Sequence, residues 1–239
     1  MSDPGKRDGG RGGSRPGATA GLREQKKRQT RQAISDTATR MFVERGFENV
    51  TIAEIAAAAQ VAKMTVTNYF PRKEDLALDL GEQFTSGLAR AVAERAPGES
   101  ALDALHRSFL AAVARRDPVI GFAGPEFTRM VVDSPTLMAR LRDFHDIREN
   151  ALAEALAATT GTAGDVTPRA AAALLAAAHR VLFEETVRLT LQGRGADRIA
   201  AELTNAAERI FGLLRPALGD YAVLDGARER PGQGDERRS

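Results

Sequence analysis

The densest potential chemistry in the chain lies between Thr51 and Lys73, TIAEIAAAAQVAKMTVTNYFPRK. Lys63, Thr65 and Asn68 are side chains of the kind that read base edges. Lys can donate to guanine O6 and N7, Asn can pair with adenine through two hydrogen bonds, and Thr offers a hydroxyl and a methyl for thymine. Such residues need a rigid element to hold them. Thr51 with Glu54 three residues on forms a capping box, in which the hydroxyl accepts an orphan helix N–H and the carboxylate reaches back to the cap. Ile52, Ile55, Ala56 and Ala59 then repeat at three-to-four spacing. Gln60-Val61-Ala62 interrupts them, and a second helix begins near Lys63, carrying Thr65, Asn68 and Tyr69 outward. Two short helices joined by a tight turn are the pattern of a helix-turn-helix. The second is too short to bury much and is expected to be a presented surface.

The competing chemistry is enzymatic. His106, His145 and His179 are isolated in sequence, and the chain has no HExxH, no GxSxG elbow, no P-loop and no complete GxGxxG. His145-Asp146 and Glu184-Glu185 could supply acids or bases, but solvated helix faces account for them more simply. Catalysis is therefore not expected, and no cofactor or metal is implied. The 239 residues include no cysteine, which excludes disulfides and thiolate metal sites.

Hydrophobic residues make up 43% of the chain and charged ones 28%, a balance typical of globular proteins. Alanine is abundant, and no stretch alternates apolar and polar residues long enough for a sheet, so the fold is expected to be all-α. The longest apolar run, Ala170 to Ala178, falls far short of the ~18 residues a membrane span needs, and a cytoplasmic protein is expected. Net charge is +2, yet residues 1–31 hold nine Lys and Arg against three acidic residues. A polyanion-binding end shows this asymmetry, and so does a solvated basic tail.

The elements that must position these side chains follow from breaks in the pattern. Residues 1–21, rich in Gly, Arg and Pro, read as a disordered basic arm, in which Arg11 and Arg15, with Arg23 just beyond, could add phosphate or minor-groove contacts. A helix from about Arg23 to Arg45 places Ile34, Ala38, Met41 and Phe42 on one stripe. Phe47, Val50, Ile52, Ile55, Val61, Val66 and Phe70 are expected to close a three-helix core, giving a DNA-binding domain over residues 22–71. Longer helices follow over 72–218: about Lys73–Arg95, Ser100 to near Asp117, a short one around Glu126–Val132, Ser134 to about Thr159, Thr167–Gln192 and Asp197–Leu214. Thr167-Pro168 is expected to be a cap and first-turn pair. Residues 219–239 read as a flexible tail. The last two helices carry more apolar residues than one pair needs, among them Leu174, Leu175, Val181, Leu182, Leu189, Ile199, Leu203 and Phe211. Either a homodimeric four-helix interface or the chain's own middle helices could bury the surplus.

Ala38, Met41-Phe42, Gly46-Phe47, Val50-Thr51, Ile55-Ala56, Val61 and Tyr69-Phe70-Pro71-Arg72-Lys73-Glu74 together resemble the tetracycline-repressor (TetR) family of bacterial transcriptional regulators. The resemblance runs from Ile34 through Leu76, and the later helices agree in number and order. It implies a homodimer that lays one recognition helix per subunit into successive major grooves of a palindromic double-stranded DNA operator. It further implies that Thr51, Tyr69 and Lys73 contact phosphates, while Lys63, Thr65 and Asn68 lie on the presented part of the recognition helix. Three positions depart from the family pattern. Gln60 stands where Gly is usual, so a left-handed backbone there would cost on the order of 1 kcal/mol. Ala62 replaces a common Ser cap, and Thr67 replaces a common phosphate-contacting Tyr.

The resemblance also implies a cavity in the second domain whose ligand alters the separation of the DNA-reading heads. Phe109, Val113, Phe122, Phe127, Met130, Leu137, Leu141, Phe144, His179 and Phe183 are the candidate wall residues, with Glu126, Arg129, His145 and Arg148 as polar contacts. This set suggests a hydrophobic small-molecule effector. Action as an activator, or without a small ligand, stays open at this stage.

Overall fold

The structure, a computed structural model, describes residues 16–162 and 164–224, with side chains from Gly21 onward. Every regular element among the described residues is helical: α1 Pro16–Arg45, α2 Ile52–Ala58, α3 Lys63–Tyr69, α4 Lys73–Ala77, α5 Gly81–Ala93, α6 Ala101–Arg115, α7 Pro125–Asp133, α8 Pro135–Thr160, α9 Thr167–Leu191 and α10 Ala196–Leu218, with a 3₁₀ turn at Pro118–Ile120.

Two hydrophobic cores organise them. The first joins Ile34, Ala38 and Phe42 of α1 to Phe47, Val50, Ile55, Val66 and Phe70, all buried, as the periodicity predicts. Leu76 and Ala77 of α4, Val131 of α7 and Leu137 of α8 also enter it. The second is built from α5, α6, α8, α9 and α10 around Leu102, Leu105, Leu152, Leu175, Leu182, Leu203 and Phe211. Helices α5 and α8, α8 and α9, and α10 with α6 and α9 make its main packing faces.

Several boundaries differ from the expectations. α1 begins at Pro16, inside the stretch expected as an arm, because Pro suits the first helical position and nothing after it breaks the helix before Gly46. The arm's Arg11 and Arg15 lie outside the described residues. The helix expected over Lys73–Arg95 is two helices. Leu78 leaves helical geometry (φ −109°, ψ 52°), and α5 starts afresh at Gly81, where an added Cβ would stand 2.6 Å from the Phe144 ring. Asp79 in this break accepts hydrogen bonds from Ser35 (2.5 Å) and, at its carbonyl, from Arg31 (3.0 Å), tying the turn to α1. Ser100 and Ser134 cap α6 and α8 as expected, accepting from the Asp103 and Leu137 amides. Thr167 is not a cap: it lies within the first turn of α9, Val166 holds the cap position, and Asp165 accepts the Thr167 amide at 3.2 Å. α10 runs through Pro216 to Leu218. Beyond it Ala222 is buried, and Leu224 exchanges backbone hydrogen bonds with Gly98 and Glu99. The packed body therefore extends into the segment expected as a flexible tail.

Gln60 adopts the left-handed conformation foreseen for it (φ 56°), and α3 starts at Ala62 without a side-chain cap. Gln60→Gly and Ala62→Ser are each expected to stabilise the protein by about 1 kcal/mol, the first by removing backbone strain and the second by supplying a cap. A chemical-denaturation midpoint raised by either change, additively in the double variant, checks both. An unchanged midpoint in Gln60→Gly would show that the turn carries no strain.

Candidate nucleic-acid interface and effector cavity

The capping box at Thr51 is complete. The Thr51 hydroxyl accepts the Glu54 amide at 3.2 Å, and Glu54 Oε2 accepts the Thr51 amide at 2.8 Å. Arg45 Nη2 reaches Glu54 Oε1 at 2.6 Å. The Arg45 hydrogen bond first, and then those from Thr51, hold the Glu54 carboxyl at about 2. The Thr51 hydroxyl also donates to Glu54 at 2.7 Å, so the cap occupies both its donor and its acceptor.

On α3, Val66 is buried and Phe70 beyond it is buried, while Lys63, Met64 and Asn68 are exposed. Thr65 and Tyr69 are half-buried, Tyr69 packing against the first core. Of the three expected base readers, Lys63 and Asn68 stand fully on the outer face and Thr65 lies at its edge. Sequence reading missed Met64, which is 69% exposed. The signal was present: residues two positions either side of buried Val66 point to the opposite side of a helix, and those are Met64 and Asn68. Lys73, at the start of α4, lies with its ammonium 4.3 Å from the Phe47 ring centroid and 3.4 Å from the Glu48 carbonyl.

The main cavity, about 1,030 Å³, opens where the two cores meet. Phe122, Phe127, Leu141, Phe144 and Phe183 line it as expected, together with His145. Phe84, Gly121, Thr128, Val131 and Met138 complete the interior, and Arg142, Asp146, Arg180 and Glu184 stand at exposed positions around it. Phe84, Phe183 and His145 form an edge-to-face trio with ring centroids 5.0–5.8 Å apart. Gly121 is required here: its φ is +101°, and a Cβ would meet Thr186 at 3.0 Å. The unexpected wall is α1, which contributes Gln32, Ser35, Asp36, Thr39 and Arg40. Ala77 and Val131 belong both to this lining and to the first core.

Five expected wall residues lie elsewhere. Phe109, Val113 and His179 are buried in the second body, where α10 packs on both α6 and α9. Met130 lines a second depression of about 600 Å³ between the end of α1 and α7, together with Glu126 and Arg129. Leu137 is fully buried in the first core. Arg148 is buried outside the cavity, with its guanidinium 4.5 Å from the Phe84 centroid.

Burial lowers the Arg148 pKa to about 10, and its Nε has no hydrogen-bond partner. His179, edge-on to Phe109 and Phe211, is held well below the usual imidazole range by burial first and then by Arg148 and His106. His145 is lowered to about 4 by burial, with Arg148 and Arg180 adding to the effect. The cavity therefore presents a neutral imidazole, able to donate or accept one hydrogen bond within an aromatic wall.

Polar side-chain contacts join the bodies. Arg140 of α8 binds Asp75 of α4 at 2.9 and 3.1 Å, and Ser134 donates to Glu48 at 2.9 Å.

A helix-turn-helix on a small three-helix core, joined to a larger helical body, defines a DNA-binding protein. Residues 34–80 match the family described as bacterial regulatory proteins, tetR family. The chain is 31% identical over 205 residues to the HTH-type transcriptional regulator TcmR of Streptomyces glaucescens, covering 83% of this chain and 88% of that protein. It is 31% identical over 144 residues to the HTH-type transcriptional repressor LfrR of Mycolicibacterium smegmatis, covering 59% and 68%. A TetR-family regulator from Streptomyces coelicolor A3 superposes with a TM-score of 0.49 at 24% identity, over 84% of this chain and 99% of that one. The chain belongs to the TetR family of transcriptional regulators, and it is a regulator rather than an enzyme. No helix among the described residues is long and apolar enough to cross a membrane.

Proposed function

We propose that the protein is a cytoplasmic homodimeric repressor that holds a palindromic operator and releases it when a hydrophobic small molecule enters the cavity against α1. In this reading residues 22–71 carry the DNA-binding domain and 72–218 the ligand-binding and dimerisation domain. The observation that carries it is the double role of the cavity wall. A molecule seated on Phe84, Phe122 and Phe183 also meets Asp36 and Thr39 of α1. It can move the DNA-reading helices only if it binds one arrangement of the two bodies more tightly than the other. Ala77 and Val131, common to wall and core, make such a difference physically available.

Dimerisation is supported by the surface that folding leaves uncovered. Leu175, Leu182, Leu189, Ile199, Leu203 and Phe211 are consumed by the chain's own core, while Leu174 (48%), Val181 (52%) and Leu213 (80%) stay exposed on α9 and α10. Leu174 and Val181 are seven residues apart on one face of α9, a stripe suited to a second copy of the pair. On DNA, Lys63 and Asn68 read base edges with Thr65 at their side, while Thr51, Tyr69 and Lys73 approach the backbone.

Selection of bound duplexes from a random library at two salt concentrations tests the reading, because affinity without salt is uninterpretable. Enrichment of a palindrome with half-sites ~34–36 Å apart is the expected result, and absence of any enriched sequence at both salts would sink it. On the selected site, Lys73→Met should weaken binding nearly uniformly across sequences and reduce the salt slope by about 1, Met keeping the stem over Phe47. An unchanged slope would confine Lys73 to its contact with Phe47 and Glu48.

A further inference from the structure

The outer face of α3 has an apolar centre. Lys63, Met64 and Asn68 are exposed and Thr67 is half-buried beside them. The Thr67 hydroxyl donates to the Met64 carbonyl at 3.1 Å and lies 3.7 Å from the Met64 sulfur, so its polar group is turned onto its own helix. Met64 is 69% exposed and belongs to neither buried core. A Lys and an Asn thus flank a thioether and the carbon face of a threonine.

We propose that Met64 is a specificity-determining residue that reads the 5-methyl group of a thymine in each operator half-site. The inference rests on the family's DNA binding and on α3 being the element that enters the major groove. In that groove thymine alone among the four bases presents an apolar group, and the other edges are hydrogen-bond donors and acceptors. A thioether pressed on such an edge strips water from polar atoms without replacing their bonds, whereas against a methyl it loses nothing. The unbranched, polarisable side chain can also follow the methyl as the helix seats. Lys63 and Asn68 then supply polar readout at neighbouring bases.

The test uses the full-length protein and duplexes selected from a synthetic, unmethylated random library, so that thymine is the only source of a 5-methyl group. Each thymine of the enriched half-site is replaced in turn by deoxyuridine, which removes the methyl and nothing else. At one position the parent is expected to lose roughly fourfold in affinity per half-site, the transfer value of one buried methyl. Met64→Ala should lose the discrimination between thymine and uracil at that position, and Met64→Leu should retain it. Because the side chain is exposed, neither change disturbs the fold, and matching melting temperatures will show this. Equal parent affinities for thymine and uracil at every position overturn the proposal. So does discrimination that survives in Met64→Ala, which would assign the methyl to Thr67. A library with no enriched sequence is a different failure, that of the operator reading itself.

Discussion

Phe42→Ala is expected to abolish operator binding at 37 °C while leaving the second helical body folded. Phe42 is fully buried at the centre of the first core, 5.1 Å from the Phe47 ring centroid and beneath the Lys73 ammonium. Truncating a buried Phe costs about 3–5 kcal/mol, through lost transfer free energy and the cavity left behind. A core of this size has little reserve, since whole domains are stable by only ~5–15 kcal/mol. The second body keeps its own core around Leu102, Leu152, Leu175 and Phe211, none of which touches Phe42's cluster. The melt followed by circular dichroism should therefore split, with an early transition that tracks loss of DNA retention in a gel-shift assay. Phe122→Ala is the matched comparison: it removes an equal ring from the half-buried cavity wall and should leave operator binding intact. A single transition for Phe42→Ala, with operator binding preserved up to it, would mean that the first core is not a separately cooperative unit.

The parts of this picture legible in the sequence are those set by local rules. The capping box at Thr51 and the Ser starts of α6 and α8 are decided within three or four residues, and each stands where the spacing puts it, while the left-handed turn at Gln60 follows from the family resemblance. The first core was legible too, since one helical period places Ile34, Ala38 and Phe42 on a stripe. The cavity was only half legible, because whether an aromatic side chain lines a void or fills a core depends on partners far away in sequence. Phe109 and Phe183 are alike in type, yet the first is buried in the second core against His179 while the second lines the cavity shared with α1. The α1 wall was invisible for the same reason: Asp36 and Thr39 sit on what a helical wheel treats as the solvent side. The break at residues 78–80 comes from Asp79 binding Ser35 and Arg31, a contact across more than forty residues.

Arg148 shows how a local rule can be overridden, and it carries the second large effect. Arg148→Met is expected to stabilise the protein by about 2 kcal/mol at neutral pH, the scale on which buried charged groups yield to apolar ones of similar volume. Among the described residues no carboxylate forms an ion pair with Arg148, and its Nε is unsatisfied, so the desolvation penalty is offset chiefly by the face of Phe84. Met retains the stem and offers sulfur to the same ring. The charge also acts on its neighbours, because it adds to burial in depressing both His145 and His179. For a histidine whose folded pKa lies below the unfolded value of ~6.5, the unfolded chain binds more protons in between. The stability is then complete above that unfolded value and is lost as pH falls toward the folded one, near 4 for His145. The parent should accordingly lose stability between pH 7 and 4.5. Arg148→Met should lose less over the same range, because one cause of the depression has gone while burial, the largest, stays. Denaturation midpoints at several pH values measure both effects. Parallel pH profiles for parent and variant would show that the Arg148 charge plays no part in setting these histidines. A variant less stable than the parent at pH 7 would show that Phe84 and residual hydration satisfy the guanidinium better than an apolar side chain can.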